Sequence, residues 1–271
     1  VRNFLSILLL LSFGAVAQEG VEVRKSRLLL LPASTVERSA GQQYAQLMRA
    51  AAQKGALNND RREVERLRRI ARALIPHAGR FNPDAARWRW EVNLVRSSAV
   101  NAFCMPGGKI AFFTGLIDSL KLGDDEIAAV MGHEIAHALL EHGRARMSEQ
   151  LLKSVGVSVA AALLNLGQLS TELLAQAAHL AVTLPFSRRH ETDADLVGME
   201  LAARAGFDPR AAAEVWRKMQ RLAGAAGRGQ PPQFVSTHPS HETRIREIEA
   251  NLPRVAPLYD AARLARRSVS E

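Results

Sequence analysis

His133-Glu134-Ile135-Ala136-His137 sets two imidazoles four residues apart with a carboxylate beside the first. On a helix, residues four apart stand one above the other. At about 100° per residue, His137 falls about 40° and Glu134 about 100° from His133, so all three side chains share one sector. Two imidazoles so placed suit Zn²⁺, at about 2.0–2.1 Å each, and a neighbouring carboxylate can take a proton from water activated at the metal. The flanking residues Ile127, Ala128, Ala129, Val130, Met131, Ile135, Ala136, Leu139 and Leu140 are apolar on most sides of the same helix. It is therefore an interior helix, where a charged trio carries a desolvation cost that incidental core residues would not repay. Two core histidines with an unrelated glutamate is the alternative, and burial argues against it.

A hydrolytic zinc site needs a third protein ligand and one open position. His142 lies about 180° from His133 on the same helix, so it is badly placed as the third ligand. The longer metzincin pattern is absent, because Leu140 stands where its glycine would be and Gly143 where its third histidine would be. Glu191 and Asp195 are also four apart and share a face of a later helix. A glutamate ligand, with an aspartate to accept the free N–H of a ligating histidine, completes such a site. His190 and Asp193 point away from that face and read as solvent residues. Alone, a carboxylate pair of this kind is ordinary surface charge. It gains meaning from the histidine motif upstream.

Helical periodicity runs over 35–53 and 58–75, with Gly55 and Asn58 between the two and Pro76 ending the second. Trp88, Trp90, Val92 and Leu94 alternate with Arg89, Glu91 and Asn93, which is a half-buried strand. Pro106-Gly107-Gly108 is a turn leading into a second strand over 109–114. Beyond Gly115 nearly everything reads as helix: 124–143 with Asp124 as its cap, then 151–166, 188–205, 209–222, 239–250 and a piece near Asp260. Gly224 to Gln233 reads as a surface loop. The fold class is mainly α with a small β-sheet, and no linker divides residues 35–271, which are expected to form one domain behind a linker at 18–34. The 151–166 stretch is too short and too polar to span a bilayer. It reads as a buried or site-covering helix, with a peripheral contact to the envelope membrane surface as the alternative.

Residues 1–17 carry Arg2, an apolar stretch and then Ala15 and Ala17, the pattern of a signal peptide with the mature start at Gln18. Export to the periplasm is the expectation. The single cysteine, Cys104, allows no internal disulfide and does not follow the apolar stretch, so a soluble protein rather than a lipoprotein is expected. A net charge of +9 raises nucleic acid as a partner, but the excess is arginine on amphipathic helices, and no zinc-finger, RNP or basic-zipper pattern accompanies it. No nucleic-acid partner is expected.

The ordered motifs Asn101-Ala102-Phe103 with Pro106-Gly107-Gly108, Gly132 to His137, Ser187-Arg188 with Glu191 and Ala194-Asp195, and Ser236-Thr237-His238-Pro239 with Arg244-Ile245 resemble the zinc metallopeptidase family forty-eight, which includes the type I CAAX prenyl protease, HtpX and Oma-like enzymes. The resemblance covers roughly 35–250 and is nearest to exported bacterial members involved in envelope protein quality control. It implies a zincin-like (gluzincin) fold, one Zn²⁺ held by His133, His137 and Glu191, Glu134 as the catalytic residue, and Asp195 supporting the ligand shell. It also gives His238 and Arg244 possible catalytic roles. His238 is open between an inhibitory fourth ligand, an oxyanion donor and a simple cap for a helix starting at Pro239, while Arg244 would pair with a carboxylate near the zinc. The implied activity is hydrolysis of internal peptide bonds in unfolded or flexible protein segments, bound extended along the edge of the 109–114 strand. A zinc-stabilised, chaperone-like binding protein without cleavage is the alternative.

Overall fold

The computed structural model describes residues 20–23, 28–165, 186–225, 232–239 and 242–268. The apolar export pattern of residues 1–17 lies outside them. Helix α1 (Ala33–Gln53) buries Val36, Ala40, Tyr44, Met48 and Ala51, one stripe at four-residue spacing. Its Tyr44 hydroxyl donates to the Ile110 carbonyl (2.6 Å), tying the helix to the sheet. Helix α2 (Arg61–Leu74) starts at Asp60, whose carboxylate accepts from the Glu63 N–H, and it buries Val64, Leu67, Ile70, Ala71 and Leu74. Upstream of α1, in the stretch read as a linker, Val21 N–H donates to the buried Glu200 carboxylate, and Arg144 donates to the Leu29 and Leu31 carbonyls.

Three strands, β1 (Glu91–Val95), β2 (Ala102–Met105) and β3 (Lys109–Phe113), form a sheet in the order β1-β3-β2. β1 runs parallel to β3, and β2 runs antiparallel to β3 across the Pro106-Gly107-Gly108 turn. Gly107 and Gly108 both take positive φ, and a Cβ on Gly108 would lie 2.7 Å from the Trp90 ring. The strand expected to offer an edge, β3, is instead the centre of the sheet with both sides paired. The outer strands are β1 and β2, and β2, four apolar residues long, is too short to show alternation.

Helix α3 (Thr114–Leu120) leads to α4 (Asp124–Leu139), which carries the histidine motif. Its N-cap is Gly123 rather than Asp124: the Glu126 carboxylate accepts from the Gly123 N–H (2.9 Å), while Asp124 pairs with Arg66 and Arg69. The helix also stops earlier than its apolar run suggests. Glu141 adopts φ 57°, a left-handed residue that breaks the chain direction, and α5 (His142–Asn165) begins one residue later.

α6 (Arg188–Arg204) is capped by Ser187, whose hydroxyl accepts from the His190 N–H. It packs along α4. The crossing is a glycine contact: a Cβ on Gly132 would sit 2.7 Å from the Gly198 carbonyl oxygen, and one on Gly198 would sit 2.6 Å from the His133 nitrogen. Backbones that close bring the glutamate of α6 within reach of the histidines of α4. α7 (Ala211–Ala225), α8 (Gln233–Thr237) and α9 (Glu242–Ser268) complete the described chain. The presumed loop at 224–233 is helical at both ends, its middle lying outside the described residues, and the two expected C-terminal helices are one, continuous through Pro253 and Pro257. Among the described residues no helix is long and apolar enough to cross a membrane.

Candidate metal centre

His133 and His137 project from successive turns of α4, Glu191 from the first turn of α6, and His238 from the end of α8, all buried. One ligand atom from each of the four lies within 4.8 Å of the others. His133 Nε2 is 3.1 Å from His137 Nε2 and 3.2 Å from His238 Nδ1. Glu191 Oε1 stands 3.5 Å from His137 Nε2 and 3.1 Å from His238 Nδ1, and Oε2 is 3.6 Å from His133 Nε2.

The residues fit a metal ion. With the His133 proton on Nδ1 toward Asp195, the bare Nε2 of His133 meets two further imidazole nitrogens and a carboxylate oxygen at one point, all groups that can offer a lone pair inward. A divalent cation satisfies them all, and nitrogen with carboxylate oxygen is a zinc donor set. Burial drives the His137 imidazole well below its usual pKa, helped by His133, so it is neutral, the ligating form.

Behind the cluster, His133 Nδ1 is 2.9 Å from Asp195 Oδ1, which puts the ring proton on Nδ1 and leaves Nε2 bare. Asp195 also accepts from Trp216 Nε1 (3.1 Å) and from two nitrogens of Arg244, Nε and Nη2, each at 2.7 Å. Arg244 Nη1 lies 2.6 Å from Glu191 Oε2, and the guanidinium stacks 3.7 Å from the Trp216 ring. Burial raises the Asp195 carboxyl, but Arg244 and His133 more than reverse this and hold it well below the usual range. Glu191 is likewise lowered despite burial, by His238 and Arg244. Arg244 therefore touches the carboxylates that support the site.

Glu134 lies on the other side, lining a cavity together with Val36, Phe103, Met105, Met147 and Phe186. Its Oε1 is buried without a hydrogen-bond partner, 3.5 Å from His238 Nε2. Burial raises its pKa, partly offset by His238 and His133. A raised carboxylate beside a metal site is suited to accept a proton. Cys104 borders the same cavity, but burial pushes its thiol well up, with Glu134 adding to the effect, so it stays a neutral packing group. His238 does not cap a helix starting at Pro239, since its ring nitrogens face Glu191, His133 and Glu134.

Two histidines set aside on spacing sit near the centre. His142 is fully buried with Nδ1 3.0 Å from His137 Nδ1, because the left-handed Glu141 ends α4 and takes His142 off its wheel. His190 is half-buried and stacks on His142 at 4.2 Å, so it is not a solvent residue. Phe186 stacks on His137 at 3.9 Å, with Arg146 packed 3.5 Å from its other face. A helix break at Leu-Glu-His carries no proline and no glycine before the histidine, so nothing in the local sequence announced it.

The pattern of Peptidase family M48 matches residues 61–252, which include every residue of this cluster. The chain belongs to that family. Among curated proteins it is 42% identical over 166 residues to the mitochondrial metalloendopeptidase OMA1 of Schizosaccharomyces pombe, covering 61% of this chain and 47% of that protein. It is 30% identical over 185 residues to human metalloendopeptidase OMA1, covering 66% and 35%. The beta-barrel assembly-enhancing protease of Escherichia coli is 26% identical over 232 residues, covering 82% and 45%. The chain thus matches less than half the length of each of these relatives.

Proposed function

We propose that the chain is a zinc-dependent endopeptidase that cuts internal peptide bonds of unfolded or flexible proteins in the cell envelope. The observation that carries this reading is Glu134, a buried carboxylate with no hydrogen-bond partner at Oε1, facing a cavity beside a four-membered ligand cluster. His133, His137 and Glu191 would hold Zn²⁺, which when bound supplies Lewis acidity toward a peptide carbonyl and toward water. Glu134 takes the proton of the attacking water and returns it to the leaving amine. Asp195 fixes His133, and Arg244 holds Asp195 and Glu191 in place.

Substrate would lie along β2. The Phe113 N–H donates to the Asn101 carbonyl (3.1 Å), so alternation along the antiparallel ladder turns the backbone N–H and C=O of Ala102 and Cys104 away from β3. Both residues border the cavity. An extended peptide pairing there is read through its backbone, which favours unfolded segments over any one sequence, and the apolar cavity takes a side chain next to the cut bond. The named role of the E. coli relative in β-barrel assembly and the export pattern of residues 1–17 support an envelope quality-control setting.

His238 stands at the fourth corner of the cluster, where a hydrolytic site needs its open position. We read this as a resting arrangement that opens when the ring withdraws. The same observation favours the rival, a zinc-stabilised binding protein that holds unfolded chains without cutting them. Turnover separates them: the purified chain incubated with casein should yield fragments that a zinc chelator suppresses. Stable complexes without fragments would establish the binding protein instead.

A further inference from the structure

We propose that His142 is a positioning residue: it accepts a hydrogen bond from His137 and thereby holds that ring in the tautomer that can ligate a metal. The inference rests on His137 being a ligand. A neutral imidazole has one N–H and one lone pair, and the partner of one nitrogen decides the state of the other. The Nε2 of His137 faces the cluster, 3.1 Å from His133 Nε2 and 3.5 Å from Glu191 Oε1. Its Nδ1 faces the opposite way, 3.0 Å from His142 Nδ1.

Only two arrangements of that contact are possible with both rings neutral. If His137 Nδ1–H donates, His142 presents a lone pair at Nδ1 and carries its own proton on Nε2, and His137 Nε2 is bare toward the cluster. If His142 Nδ1–H donates instead, the proton of His137 sits on Nε2, among the other ligand atoms, and no lone pair remains for a metal. His133 is free of this ambiguity, because its Nδ1 partner, Asp195, is a carboxylate that can only accept. The two helix histidines are therefore steadied differently, one by an anion and one by a second imidazole.

The fold holds His142 for this task. It is the first residue of α5, delivered by the left-handed turn at Glu141, is fully buried, and has its ring clamped against His190 at 4.2 Å and 15°. The ring edge, rather than its face, is left toward His137.

The test measures zinc affinity of the full chain by chelator competition for three variants. His142→Phe keeps the stack on His190 but cannot accept; it should bind zinc about 10–100-fold more weakly than the parent, the usual effect of losing a partner behind a ligand. His142→Asn restores an acceptor on the atom bonded to Cγ, as Nδ1 is, and should recover most of that loss. Nitrogen-15 NMR of the zinc-loaded parent should find the His137 proton on Nδ1. A Phe variant that binds as tightly as the parent, an Asn variant as weak as the Phe variant, or a His137 proton on Nε2 each overturns the proposal. His137→Ala run alongside separates the two levels: unchanged affinity there refutes the ligand assignment itself, and this inference with it.

Discussion

Replacing Arg244 by Met removes the one guanidinium that both Asp195 and Glu191 use. Arg244, its side chain fully buried, gives Asp195 two hydrogen bonds of 2.7 Å, lies 2.6 Å from Glu191 Oε2, and donates to the Pro239 carbonyl at 3.1 Å. Met fills much of the volume against Trp216 but leaves two buried carboxylates facing each other across a cation-free gap. Breaking a buried pair by removing one partner costs about 3–5 kcal/mol, against a total stability of about 5–15 kcal/mol. At about 2–4 °C per kcal/mol for a chain near this size, the metal-free variant should melt some 6–20 °C below the parent at neutral pH. The sign of the pH dependence is fixed as well. Burial raises the Asp195 carboxyl and Arg244 overrides it, so its folded pKa is depressed and it contributes stability above the ordinary carboxylate range, lost as pH falls. Without Arg244 that contribution is gone, so the deficit of the variant is full at neutral and mildly acid pH and narrows only as pH falls below about 4, the unfolded carboxylate value. Circular-dichroism melts of both proteins in chelator, at neutral pH and at values stepping below about pH 4, measure this. A variant melting within about 2 °C of the parent at neutral pH, or a deficit that widens in acid, would refute the reasoning.

Two further outcomes follow from the same geometry. Gly198→Ala drives a methyl to 2.6 Å from the His133 backbone nitrogen, so it should cost about 1–3 kcal/mol in a melt and weaken zinc binding by shifting α6 along α4, whereas Gly41, where a Cβ would meet open space, should tolerate alanine. His238→Ala should keep one zinc per chain by metal analysis and raise turnover of a short peptide, because a site with its fourth corner filled is closed to water; lower turnover with full zinc would instead make His238 an oxyanion donor.

The faces that carry chemistry were legible in the sequence because helical spacing is a local property. His133, Glu134 and His137 in one run, and Glu191 with Asp195 in another, each define a surface from their own five residues. How the two surfaces meet is not local: it depends on Gly132 and Gly198 letting two backbones touch, and neither glycine is marked by its neighbours. The same division explains the misses. The apolar run of α4 continues past Leu139, so periodicity carried the helix through a left-handed Glu141 that only tertiary packing enforces; His142 was placed on the wrong face as a result, and His190, which stacks on it, was read as a solvent residue. β2 was missed because four apolar residues show no alternation, which left β3 with an edge it does not have. The helix expected over 239–250 and the piece near Asp260 are one α9, which runs through Pro253 and Pro257 with Val255 and Leu258 buried. Packing there outweighs the lost backbone hydrogen bonds.

The central claim is that Glu134 moves the proton and the metal does not depend on it. Glu134→Gln preserves shape and leaves His133, His137, Glu191 and Asp195 untouched, so the purified variant should hold zinc at the parent's stoichiometry. It should cleave casein at least about 100-fold more slowly, the low end of what a positioned general base contributes. Full zinc occupancy with cleavage at the parent's rate would contradict the account.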